Sequence, residues 1–163
     1  MTALSATAHE HHAEIVAHIQ SLLATAESLD RLGPAEIRGT LERELGFLTG
    51  QLVPHMEAAE RALYPSLERL LQNPHALAPL RREHADVRRL IEDLGGLAAK
   101  IGPSGTSKGD LLALRRILYR LFAIVRAHLA EEEHYLTVLA GNLSASETEA
   151  LASELEHVGR QPL

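Results

Sequence analysis

A chain of 163 residues can build one domain with a sizeable apolar core. Its formal charge of −6, with arginines in scattered pairs (Arg81-Arg82, Arg88-Arg89, Arg115-Arg116), argues against nucleic-acid binding. The absence of cysteine excludes zinc–thiolate, iron–sulfur and thiol chemistry. No uncharged apolar run of about 18 residues or more is present to span a membrane. The start, Met1 to His9, lacks a basic segment followed by an apolar run, so no signal peptide is expected and a cytoplasmic address follows by default. Apolar residues are 45% of the chain but aromatics only 3%, so the core must be built from leucine and alanine, both strong helix formers. The fold class expected is all-α.

The first helical pattern runs from about Ala8 to Leu32, with His12, Ile15, Ile19, Leu22, Ala26 and Leu29 on one stripe, and Gly33-Pro34 ends it. The second runs from about Ala35 to Leu71 through Leu41, Leu45, Leu48, Leu52, His55, Ala59, Leu63 and Leu67. Pro54 and Pro65 fall inside it, and each removes a backbone donor and crowds the preceding turn, so kinks are expected. After Asn73-Pro74 a third helix, about His75 to Ile101, carries Leu80, His84, Val87, Ile91, Leu94 and Ala98. Gly102-Pro-Ser-Gly-Thr-Ser-Lys-Gly109 is a loop; it lacks both the Gly-Lys-Ser/Thr ending and the preceding strand of a phosphate-binding loop. A fourth helix follows from Asp110 to about Ala140, and Ser144 with Glu147 forms a capping box for a short fifth, about 144–158. The expected architecture is an antiparallel four-helix bundle of two repeated helical hairpins, plus that short C-terminal helix. It forms a single domain over 1–163 with the bundle core at about 8–140.

The stretch Arg126 to Leu136 stands out because His128 and Glu132, four residues apart, share a helix face with Leu121, Val125 and Leu139. An ionised carboxylate buried without a partner is very costly, and a cation in the core relieves it. The two halves of the chain also resemble each other: His12 to Leu22 aligns with His84 to Leu94, and His55 to Leu63 with His128 to Leu136. The histidine separations are 43 residues in the first half and 44 in the second. A lone histidine on an apolar stripe is ordinarily a hydrogen-bonded core residue. Four of them, one per helix at matched spacing, point to a metal site between the helices. His9, His11, His18, His75, His134 and His157 lie off these stripes or near helix ends and read as surface or capping residues, although His9 or His11 could add a ligand if the first helix starts differently.

Imidazoles and carboxylates without thiolate suit iron, manganese or zinc. The pattern, with Leu63-Tyr-Pro65 and Arg82-Glu-His84 as context, resembles the hemerythrin-like family, also called the HHE cation-binding family, over about residues 8–140. That resemblance implies a single hemerythrin-like domain holding two iron ions with an oxo or hydroxo bridge. His12, His55, His84 and His128 would be terminal ligands and Glu132 a bridging one. The chain departs from the family pattern at Ala59, which stands four residues after His55 where a glutamate is expected. Glu60 follows at five residues, a step of about 140° from ideal alignment, and a kink at Pro54 would bring it in as the second carboxylate ligand. Glu133 is the corresponding fallback in the other half. Tyr135 shares the face of His128 and Glu132 and is a candidate contact to the metal or its ligands.

The resemblance implies a protein that binds or reacts with a small ligand such as dioxygen, peroxide or nitric oxide, as a sensor or in iron and oxidative-stress handling. Neither a nucleic acid nor a membrane is expected as a partner. A second reading follows from Ala59: a bundle with a single metal, such as zinc, or with none, serving as an interaction or sensor module.

Overall fold

The computed structural model describes the backbone of residues 3–102 and 105–159 and the side chains of 12–102, 105–139 and 141–153. The readings of His9, His11 and His157 as surface residues therefore lie outside the described side chains. Among the described residues there is no strand. The helices are α1 (Ala3–Ser28), α2 (Pro34–Phe47), α3 (Val53–Ala58), α4 (Tyr64–Leu70), α5 (Ala78–Ala98), α6 (Lys108–Ala140) and α7 (Ala145–Gly159). A 3₁₀ turn, Leu29–Arg31, finishes α1. Local chemistry sets most boundaries. Pro34 opens α2, with the Gly33 N–H donating to Glu36 Oε2 at 2.8 Å. Ser107 Oγ caps α6 by accepting from the Asp110 N–H at 3.0 Å. At α7 the expected capping box forms: Glu147 accepts from the Ser144 N–H at 2.9 Å and donates its own N–H to Ser144 Oγ at 3.4 Å.

The two prolines act less as kinks than through π turns. Leu48–Leu52 joins α2 to α3, and Ala59–Leu63 joins α3 to α4, both with π-type hydrogen bonding. Backbone angles stay helical through the junctions, for example φ −61° and ψ −48° at Val53 and φ −63° and ψ −43° at Tyr64. Each proline falls in the first turn after a π turn, where its missing N–H and its ring are accommodated by the wider winding. Each π turn takes up one extra residue, so the side-chain register slips by one position at Leu48–Leu52 and by one more at Ala59–Leu63.

α1 packs along α6, α6 on α5, α5 on α2 and α2 on α1, while α7 lies against α1, α3 and the second π turn. The apolar interior forms two clusters. The larger takes Ile15 to Leu29 from α1, Leu41 to Met56 from α2 and α3, Val87 to Leu94 from α5, and Leu114 to Leu129 from α6. The smaller takes Ala59 to Leu67, Leu77, Leu80, Leu136, Leu139 and Leu151. Along each helical segment, His12, His55, His84, and the pair His128 and Glu132 fall at the crossing from one cluster to the other or at its edge. α1 and α5 run from this polar layer into the larger cluster, and α3 and α6 run out of it. No described helix is long and apolar enough to cross a membrane.

The face assignment of α6 is testable by truncation. Leu118 is fully buried, and Leu118→Ala is expected to cost about 2–5 kcal/mol in urea unfolding. Leu112 is 46% exposed, and Leu112→Ala should stay within about 0.5 kcal/mol of the wild type.

Candidate metal centre

The helices bring His12, His55 and Glu132 together in one buried group whose potential ligand atoms all lie within 4.8 Å of one another. His12 Nε2 is 3.2 Å and His55 Nε2 3.1 Å from the same oxygen, Glu132 Oε2. The two rings meet edge to face with centroids 5.1 Å apart. Glu132 has no exposed surface. Burial by itself raises its pKa, but the hydrogen bonds from His12 and His55 and the nearby imidazole charge outweigh that and hold it well below the usual carboxylate range. Glu132 is therefore a buried anion. Its second oxygen, Oε1, and His12 Nδ1 are buried with no hydrogen-bond partner. An orphaned carboxylate oxygen and an orphaned imidazole nitrogen, in a group of this composition, fit a cation.

The other two histidines form a second polar group. His84 Nε2 and His128 Nε2 face each other at 2.8 Å. Their outer nitrogens each meet a carboxylate: His84 Nδ1 lies 2.6 Å from Glu60 Oε1, and His128 Nδ1 lies 2.8 Å from Glu83 Oε2. A carboxylate accepts, so each Nδ1 carries the hydrogen, and when both rings are neutral each Nε2 presents a lone pair to the other. Two lone pairs at that distance repel unless something positive lies between or beside them. The phenol of Tyr64 is the neighbour available, its oxygen 3.2 Å from His84 Nε2 and 3.5 Å from His128 Nε2. Burial, then the charges of Glu132 and Glu60, push the Tyr64 hydroxyl well above its ordinary pKa, so it stays a phenol in the metal-free protein. Arg81 stacks over the Tyr64 ring at 5.1 Å and pairs with Glu68 at 3.2 Å.

All the histidines expected to face the interior do so: His12, His84 and His128 are buried and the His55 side chain nearly so. Glu132 sits as expected at the centre. Glu60 is placed otherwise. Its carboxylate stands at the outer nitrogen of His84 and takes a 3.2 Å hydrogen bond from Arg88, away from the Nε2 face that His84 shares with His128. Burial tends to raise the Glu60 pKa, but the His84 hydrogen bond and the Arg88 charge hold it below the ordinary value. Ala59 is buried in the smaller cluster. Glu133 is exposed, and Tyr135 packs at the edge of the smaller cluster, with its ring 6.3 Å from that of His134. His18, His75 and His134 are exposed. Two members of the site escaped the sequence reading. Tyr64 was hidden by the register slip, and Glu83 by serving a histidine on α6 rather than its own neighbour, His84.

The pH response of the metal-free protein follows from His84. Burial, then repulsion from His128, lowers its pKa from 6.5 to about 4, against the pull of Glu60 and Glu132. Above pH 6.5 both folded and unfolded chains hold a neutral imidazole, and the shift costs nothing. As pH falls toward about 4, the unfolded chain takes up a proton that the folded one refuses, so stability drops. The expected loss across that window is about 3 kcal/mol in chemical unfolding, and His84→Gln should flatten most of the slope.

Comparison with known proteins shows the family. The family model described as the hemerythrin HHE cation binding domain matches residues 4–136, and again residues 75–161. Comparisons with individual curated proteins and with solved structures returned no match. The first family match alone contains every histidine and carboxylate of the polar layer, and the chain belongs to the hemerythrin HHE cation-binding family.

Proposed function

We propose that the chain is a non-haem di-iron protein of the hemerythrin type that binds or reacts with dioxygen, peroxide or nitric oxide. The observation that carries this reading is Glu132: a buried anion with one oxygen held by two imidazoles and the other without a partner. His12, His55 and Glu132 would hold one ion, and His84 and His128 a second. In this reading the helices form a single domain over 1–163, an antiparallel four-helix bundle made of two hairpins with α7 against its side. When bound, iron supplies reversible electron transfer and open coordination positions. The chain's own part is to present the imidazole nitrogens, hold their tautomers through Glu60 and Glu83, and surround the layer with apolar side chains that admit small neutral molecules. Net charge −6 supports neither a nucleic acid nor an anionic membrane as partner, and the cytoplasm is the proposed location.

A second reading keeps one metal, such as zinc, and makes the bundle an interaction or sensor module. It is favoured by Ala59, which removes a carboxylate from the second position. Metal analysis with a visible spectrum, on protein purified with and without air, separates the two. Two irons per chain with an oxygen-dependent absorption band support the di-iron reading; a single redox-silent zinc, or a fold indifferent to chelation, sinks it. Under the same assay His128→Ala should lose most bound metal and His134→Ala should keep it. Glu60→Gln and Glu83→Gln, which disturb outer hydrogen bonds only, should weaken metal binding about 10–100-fold without abolishing it.

A further inference from the structure

Tyr64 heads the fully buried side chains by volume, and its hydroxyl faces the Nε2 atoms of both His84 and His128. With Nδ1 of His84 and His128 committed to Glu60 and Glu83, three lone-pair-bearing atoms converge: His84 Nε2, His128 Nε2 and Tyr64 Oη. Their separations are 2.8, 3.2 and 3.5 Å. One phenol proton satisfies only one of the two nitrogens. Metal–nitrogen and metal–oxygen bonds of about 2.0–2.2 Å, at ligand angles of about 90–110°, place ligand atoms about 2.8–3.6 Å apart. The triangle has the dimensions of one face of a coordination shell.

We infer that Tyr64 is the anionic ligand of the second metal position, standing in for the glutamate that Ala59 replaces. The inference rests on the metal-binding reading above and assigns its second position a donor set of two imidazoles and one phenolate. The first position has its anion in Glu132. Glu60 gives the second position no carboxylate of its own, because it is turned to the outer nitrogen of His84. The π turn Ala59–Leu63 lies between the substituted position and Tyr64, and its extra residue per turn widens the interior face so that Tyr64 is buried there beside Leu63. On metal binding the phenol O–H bond breaks, an oxygen–metal bond forms, and the proton leaves to solvent. The two metal positions are thus chemically unlike, one bound through carboxylate and one through phenolate.

The test loads metal-free protein with iron(II) alone and then admits air. Ferric phenolate gives a visible charge-transfer band and resonance-enhanced tyrosinate ring vibrations, which imidazole and carboxylate ligands do not. The wild type is expected to show both. Tyr64→Phe should lose both and fall from two irons per chain toward one, while Tyr119→Phe and Tyr135→Phe keep the full signature. An iron-loaded wild type without tyrosinate vibrations overturns the assignment while leaving the metal site standing, and this readout needs no variant to fold. Retention of the vibrations in Tyr64→Phe also overturns it. Failure of the wild type to take up any iron overturns the underlying metal reading and this assignment with it.

Discussion

The charge on Glu132, enclosed in a leucine-rich interior, is the constraint around which the rest is arranged. Transferring a carboxylate into such surroundings costs several kcal/mol even after relaxation. Charge-assisted hydrogen bonds return about 1.5–3 kcal/mol each, so the contacts from His12 and His55 roughly offset the penalty at one oxygen. The other, Oε1, has no hydrogen bond. A layer so composed is not self-sufficient as a protein core. Its imbalance is of the sign and place that a cation would correct.

Around that charge the helices are divided into two apolar compartments. The larger cluster is lined by long aliphatic side chains on four helical segments, and the smaller gathers about Tyr64, Leu67, Leu80 and Leu139. The polar layer lies at their junction, reached by α1 and crossed by α5 between Leu80 and Val87 and by α6 between Leu129 and Leu136. Burying the leucines on both sides holds the histidines in place without requiring their own contacts to be favourable. This is how a fold tolerates facing lone pairs at His84 and His128: the packing energy is spent elsewhere in the same helices.

Carboxylates at the rim complete the arrangement. Glu60 and Glu83 are about a third exposed, so their charge is hydrated while each still reaches the outer nitrogen of a buried imidazole. Arg88 on α5 anchors Glu60, and that in turn orients His84 on the same helix. Glu83 ties α5 to α6 through His128. Such partners fix ring orientation and tautomer, which decides where the inner lone pairs point.

The all-helical class, the loop at Gly102, the capping box at Ser144 and the four interior histidines were legible in the sequence, because each depends on composition, on spacing along one helix or on local backbone chemistry; the division of the expected second helix into α2, α3 and α4 was not. His128 and Glu132 could be paired by counting, since α6 is an unbroken α-helix around them. The second half of the site could not. Its geometry depends on the π turn Ala59–Leu63, beyond which Tyr64 is buried beside Leu63 and Leu67 while Glu60 stands at the back of His84. Pro54 and Pro65 announced a disturbance but not its form. Glu83 was unreadable for a different reason: its partner lies 45 residues away on another helix. Sequence alone determined most of the apolar stripe and the four histidines on it, through periodicity. Only the tertiary structure decided which of them meet, because that rests on winding and on contacts between helices that no single-helix pattern records.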